Sequence, residues 1–364
     1  MCYVLDVKNF WTELPKPFFA LAPMEDVTDA AFRRIIALQG RLARTDGGRG
    51  GPDVTFCEFT SADGLVLADE KGQKKLRRKL LFSEIERPVV AQFFTAVPEH
   101  IEYAARLAAE MGFDGVDINM GCPDRAVEKS QCGAAMMKNP QLAREIIRAA
   151  KRGWQQGISG NPRGETSWVP LSVKTRLGYD TDELEEWLPE LLAEEPAAVT
   201  IHARTRKEMS AVAARWERIK RAVEIRDAVQ GETSDKTLIV GNGDLKDLDD
   251  ARAKVAESGA DGAMLGRAIF GNPWLFSSRE KSLERFIPST VEGSREIDAQ
   301  EKIKTLAEHI KLFDGLMGDV QHFAVMKKHF KAYISGWDGA KELRVRLMET
   351  DTAGQAIAIL ASMQ

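Results

Sequence analysis

The residues with the most chemical potential form a short set. Cys122 lies in Asn119-Met120-Gly121-Cys122-Pro123, between a glycine and a proline, a context that displays a thiol on a loop rather than packing it in a core. A thiol with an ordinary pKa of about 8.5 is mainly protonated at neutral pH, so Cys122 can serve as a proton donor. Lys174, at the end of an apolar run, can set an ammonium beside a developing negative charge, and Gln92 and His202 can hydrogen-bond the polar edge of a bound ring. Gly241-Asn242-Gly243 followed by Asp244, and Leu265-Gly266-Arg267, combine small residues, exposed backbone N–H groups and a guanidinium, which are the parts of a phosphate site. Cys2, Cys57 and Cys132 read as small buried hydrophobes.

These residues sit at the ends of recurring apolar or β-branched runs, each followed by a helical stretch. The runs are Phe18 to Met24, Asp53 to Phe59, Pro88 to Phe94, Gly115 to Asn119, Leu171 to Thr175, Ala198 to His202, Thr237 to Gly241 and Gly262 to Gly266. That alternation predicts a parallel α/β fold, and eight such runs predict a closed (β/α)8 TIM barrel over residues 1–282, whose active site lies at the carboxyl ends of the strands. Between the runs, helices are expected over Pro98 to Met111 and Pro140 to Gly153, each with a proline near its start and a glycine at or just past its end. Arg41 to Pro52 and Gly153 to Thr166 read as loops, and Arg41, Arg44 and Arg49 as solvated charges.

From residue 283 to 364 the strand signals stop and helical patterns cover Asp298 to Met317, Val320 to Ile334, Gly339 to Met348 and Thr352 to Met363. This predicts a C-terminal all-α helical bundle. Lys327, Lys328, Lys331, Lys341, Arg344 and Arg346 give it a locally basic face.

The 364-residue chain is 44% apolar and 29% charged, ordinary for a folded soluble protein, with room for a barrel and a smaller unit. No apolar run approaches the roughly 20 residues that cross a bilayer, and Met1 to Trp11 lacks the features of a signal peptide, so a cytoplasmic location is the expectation. Four irregularly spaced cysteines predict reduced thiols and no zinc site. A net charge of −4 argues against a generally basic nucleic-acid coat, while leaving room for a local basic face.

Taken in order, Ala22-Pro23-Met24, Asn119-Met120-Gly121-Cys122-Pro123, Lys174-Thr175-Arg176-Leu177-Gly178, His202-Ala203-Arg204-Thr205, Asn242-Gly243-Asp244 and Leu265-Gly266-Arg267 resemble the tRNA-dihydrouridine synthases over nearly the whole chain. The resemblance implies an FMN-binding barrel followed by a helical tRNA-binding domain, with NADPH as reductant. It implies that Pro23, Met24, Gln92, Lys174, His202, Asn242, Gly243, Gly266 and Arg267 hold FMN, and that Asn119 and Arg176 contact the target uracil. Hydride would pass from reduced flavin N5 to uracil C6 and a proton from Cys122 to C5. Ala203 stands where the family commonly has glycine, and Lys207 to Val212 lacks the family's aromatic residue, which bears on substrate contacts there. Three other readings stay open: an FMN barrel reductase for a small pyrimidine or enone, dihydrouridine synthesis on ribosomal RNA, and a flavin-binding RNA chaperone. No metal is expected, and a monomer is favoured.

Overall fold

The computed structural model describes residues 9–42, 51–159, 169–233, 235–279 and 297–363. Eight parallel strands run β1 Phe18–Leu21, β2 Val54–Phe56, β3 Val89–Phe94, β4 Gly115–Met120, β5 Leu171–Arg176, β6 Ala198–His202, β7 Leu238–Asn242 and β8 Gly262–Leu265. Each pairs with its neighbours in sequence, and β8 returns to β1, with Phe18 opposite Gly262 and Leu21 opposite Leu265. The eight-stranded barrel expected from the repeating runs is therefore closed. A two-residue strand, Thr60–Ser61, adds alongside the end of β3.

Side chains alternate across a strand, so every second residue of each run points into the barrel. Phe18 and Ala20 of β1, Val54 and Phe56 of β2, Val90 of β3, Ala198 of β6, Leu238 and Val240 of β7 and Met264 of β8 form one buried apolar cluster. Trp11, on the short helix Phe10–Glu13, joins it against the rings of Phe18 and Phe56. The opposite parity, including Phe19, Leu21, Val89, Ile118, Val173, Ile201 and Ile239, packs against the surrounding helices in a second cluster. Carried upward, the inward series becomes polar: Gln92, Asp117 and Asn119, Lys174 and Arg176, His202 and Asn242.

The helix expected to stop at Gly153 instead runs Pro140–Ile158, so the first part of the loop read from Gly153 to Thr166 is helical. The glycine serves packing rather than termination. A Cβ at Gly153 would lie 2.0 Å from the carbonyl oxygen of Glu102, and one at Gly157 would lie 2.5 Å from that of Arg106. These glycines let the 140–158 helix approach the backbone of the Pro98–Glu110 helix, and a local pattern cannot distinguish that use from a helix stop. Residues 160–168 fall outside the described residues. So does most of the Arg41 to Pro52 segment, although Arg41 lies in the last turn of the Ala30–Leu42 helix.

The terminal segment folds as helices Ala299–Met317, Lys327–Tyr333, Ala340–Met348 and Ala353–Ala361. The helix expected from Val320 begins later, because a 3-10 turn, Phe323–Met326, capped by the His322 side chain, precedes it. The expected boundary at 282/283 lies outside the described residues. These helices share one apolar cluster with the barrel. Phe32 of the 30–42 helix stacks on His309 at 5.0 Å and meets His329 at 4.9 Å, while Gln39 accepts from Trp274 Nε1 and donates to Thr305. Burial holds both histidines neutral, His329 down to about 3.

Gly153→Ala would gain up to about 1 kcal/mol in helix propensity, but it would clash with a backbone carbonyl where overpacking costs about 1–3 kcal/mol. A net loss is expected, with the urea midpoint moving down. Gly315→Ala, in open space on the 299–317 helix, should move it up by the equivalent of about 0.5–1 kcal/mol. Equal midpoints for the two variants would contradict the packing role.

Candidate active site

The polar ends of the strands surround a cleft of about 690 Å³. Pro23, Met24, Lys174, Arg176, His202, Asn242, Gly243, Gly266 and Arg267 line it, so the residues drawn from β1, β5, β6, β7 and β8 are brought together. Gln92, Asn119 and Cys122 are not on its wall. Gln92 and Asn119 are buried beside it, and Cys122 is partly exposed on the loop after β4.

Around Cys122 the loop is fixed by hydrogen bonds at several atoms. Asn119 Oδ1 accepts the backbone N–H of both Gly121, at 3.1 Å, and Cys122, at 2.8 Å. The carbonyl of Gly121 accepts from Arg176 Nε at 2.8 Å, and that of Cys122 accepts from Ala134 N at 2.9 Å. Gly121 and Gly133 are required by closeness: a Cβ would sit 3.1 Å from the Thr175 carbonyl carbon at the first, and 2.7 Å from the Cys122 oxygen at the second, where φ is also +59°. Burial pushes the Cys122 thiol above its usual pKa, and the carboxylates of Asp124 and Glu25 add to the push. Burial thus favours the protonated thiol, on a loop fixed by hydrogen bonds.

Asn119 is itself oriented. Its Nδ2 donates to Gln92 Oε1 at 3.0 Å, Gln92 Nε2 donates to Asp117 Oδ2 at 2.7 Å, and Ser172 Oγ donates to Asp117 Oδ1 at 2.5 Å. This chain crosses from β5 through β4 to β3 and fixes which way both amides face. Burial raises the Asp117 pKa to about 6. Neither Asp117 nor Ser172 stood out in the sequence, because each lies within an apolar run and gains meaning only from its inward parity.

The cationic side of the cleft is crowded. Lys174 is half-buried and has no hydrogen-bond or ion-pair partner among the described residues; burial and the neighbouring Arg176 lower its pKa to about 8. Burial also lowers Arg176, to about 10, although its Nη1 is held by the carbonyls of Thr205 and Met209. His202 is depressed to about 2 by burial and the charges of Arg176 and Lys174, so its ring is neutral at physiological pH. An anion in the cleft would relieve this repulsion.

At the far end, Gly243 has φ +128°, and a Cβ there would meet Ala214 Cβ at 2.8 Å. Asn242 Nδ2 donates to the Met264 carbonyl at 2.8 Å and ties β7 to β8. Arg204 and Arg267 both bond Asp244, the latter at 2.6 Å, and Arg204 also reaches His202 Nε2 at 3.2 Å. Arg204, Asp244 and Lys246 line the cleft, as do Met209 and Ser210 from the stretch that lacks an aromatic residue. The first two were visible as strand-end residues, but their pairing depends on β6 and β7 being neighbours.

A family model described as dihydrouridine synthase matches residues 20–363. The chain belongs to the dihydrouridine synthase family. A probable tRNA-dihydrouridine synthase of Staphylococcus aureus (strain COL) is 38% identical over 355 residues, covering 97% of this chain and 95% of the relative. Probable tRNA-dihydrouridine synthase 2 of Bacillus subtilis (strain 168) is also 38% identical over 355 residues, covering 97% of this chain and 96% of its own length. The match to the family runs through both the barrel and the terminal helices, so every element that builds the cleft lies within it.

Asp117→Ala would remove both acceptors and leave Gln92 Nε2 and Ser172 Oγ without their bonds, at a cost of about 1–3 kcal/mol each. The Cys122 loop should loosen with it, and iodoacetamide should alkylate Cys122 several-fold faster than in the wild type. An unchanged alkylation rate in a destabilised variant would show that the amide chain does not govern the loop.

Proposed function

We propose that this protein reduces uridine in tRNA to 5,6-dihydrouridine, with FMN as its resident flavin and NADPH as the reductant. The observation that carries the reading is the convergence, in a chain that belongs to this family along its length, of Cys122 on a hydrogen-bonded loop and of Lys174, which has no ion-pair partner among the described residues and acts electrostatically on that thiol.

The residues suit FMN. The ammonium of Lys174, without a partner among the described residues, and the neutral ring of His202 face a cleft large enough for a ring system, and Gln92 is buried beside it. The glycine turns at Asn242-Gly243 and Gly266-Arg267, with the Arg267 guanidinium, suit a phosphate, and the backbone at Pro23 and Met24 forms the adjoining edge. When bound, reduced flavin supplies a hydride from N5 to uracil C6.

The chain's own residues do the rest. Lys174 would hold positive charge where negative charge gathers, its pKa lowered to about 8 by burial and by Arg176. Arg176 commits Nε and Nη1 to backbone carbonyls, which leaves Nη2 as donor to a uracil carbonyl; Asn119 retains one N–H for the same base. Cys122 delivers a proton to C5, so that hydride and proton together saturate one C=C bond, and the thiolate is then reprotonated from solvent. The terminal helices, with Lys327, Lys328 and Lys331, serve as the tRNA-binding domain, and the target uridine leaves its stack to reach the cleft.

Mass-spectrometric mapping of dihydrouridine in RNA from cells with and without the gene tests the reading. Loss from tRNA is expected; full retention in tRNA, or loss confined to ribosomal RNA, overturns it. Cys122→Ala should keep its flavin spectrum and its NADPH-driven flavin reduction while losing about 10²–10⁴-fold in turnover, the usual contribution of a general acid. Because the thiol must be protonated and burial raises its pKa, Cys122 should impose no loss of turnover through neutral pH; the first decline with rising pH should come from Lys174, at about 8, and should move upward in Lys174→Arg. A decline beginning near pH 7 that is unmoved in Lys174→Arg would contradict a thiol held protonated by burial.

A further inference from the structure

One strongly charged element takes no part in the catalytic cleft. The helix Glu70–Lys79, EKGQKKLRRK, turns Leu76, Lys79 and Leu80 toward the protein and leaves Lys71, Lys74, Lys75, Arg77 and Arg78 on one solvent-facing arc. Asp319 pairs with this arc from a second element, 3.0 Å from Lys74 and 2.9 Å from Arg78, and Glu70 of the helix itself lies on the same face. Lys71, Lys75 and Arg77 have no ion-pair partner among the described residues.

This charge arrangement is not explained by helix stability. Cations in the last turn favour the helix dipole, which accounts for Arg77, Arg78 and Lys79. Lys71 and Lys75, and Lys74 and Arg78, are like charges four residues apart, a spacing that weakens a helix. Against the five cations of the arc stand two acids, Asp319 and the helix's own Glu70, and the cationic surplus suits a polyanion.

The helix also has a definite address. Lys79 closes it against Glu25 at 2.9 Å, and Lys328 of the 327–333 helix reaches toward Asp26 at 3.9 Å. Glu25 and Asp26 follow Met24, which lines the cleft, and Glu25 acts electrostatically on the Cys122 thiol. The 70–79 helix and the basic terminal helix therefore converge on one turn at the cleft mouth. Asp319, in the turn before the 327–333 helix, ties the two together.

We infer that the 70–79 helix is a second RNA-binding element, contributed by the barrel, in which Lys71, Lys75 and Arg77 hold phosphates of the strand that flanks the reacting nucleotide. The inference rests on the reading of the protein as an RNA-modifying enzyme. A nucleotide pulled from its stack leaves its flanking phosphates to be held close to the mouth, and this arc lies there. A bilayer is the poorer match, because the apolar side of the helix is already buried in the protein and only Val66 and Leu67 are exposed beside it.

Lys71→Ala/Lys75→Ala, made in the full-length protein, leaves the Asp319 pairs and the cleft untouched. Binding to unmodified tRNA transcript should be measured from 50 to 300 mM salt for the variant and the wild type. With two fewer phosphates of a single strand neutralised, the slope of log K against log salt should become shallower by about 1.4, and affinity near 0.1 M salt should fall roughly 25-fold. NADPH-driven flavin reduction and Cys122 alkylation should not change. An unchanged slope with tRNA binding and turnover intact overturns the inference alone. Wild-type protein that neither binds nor modifies tRNA overturns the functional reading beneath it. Loss of binding to anionic phosphatidylserine vesicles, with tRNA binding unaffected, would assign the arc to a membrane surface instead.

Discussion

The site depends on one constraint, the two-residue pleat of a strand inside a closed barrel. Because β8 returns to β1, every strand has the same two environments, and one parity must fill the interior. Near the start of the strands that parity is apolar and is sealed by Trp11; toward the other end it changes to amides, cations and glycines. A shift of one residue in any strand would exchange the two sets and bury the helix-facing aliphatics where the cleft now lies. Barrel stability and site chemistry are therefore one pattern read at two heights.

Held this way, the polar residues keep a costly arrangement. Lys174, Arg176 and His202 all have lowered pKa values because burial and mutual repulsion oppose their charged forms. Such a set persists only where surrounding structure over-determines it. Arg176 is fixed by three backbone carbonyls, and Arg204 and Arg267 share Asp244. The cleft is thus electropositive and its side chains are pre-organised, an arrangement that would suit an anionic ligand. The same rigidity extends to Cys122, whose loop is anchored by Asn119 and by two close-approach glycines.

The terminal helices are bound to the barrel by burial more than by charge. Phe32 packs between His309 and His329, both neutral, and one apolar cluster runs across the junction. This positions the basic Lys327–Tyr333 helix relative to the cleft mouth with the precision of a core, which a loosely tethered unit would lack.

The sequence by itself determined the parts that are local. Apolar runs ending in polar residues set the strand count and the identity of the residues at the mouth, and glycine and proline beside Cys122 placed that thiol on a loop. Motif order along the chain was enough to expect the family. Tertiary structure decided whatever depends on neighbours distant in sequence. The bonds joining Gln92 to Asp117 and Asn119 join adjacent strands, as does the meeting of Arg204 with Asp244, and both exist because of strand order and register. Gly153 looked like a helix end because a missing side chain is the same letter whether it frees the backbone to turn or lets another backbone come close. Only the position of Glu102 across from it distinguishes the two.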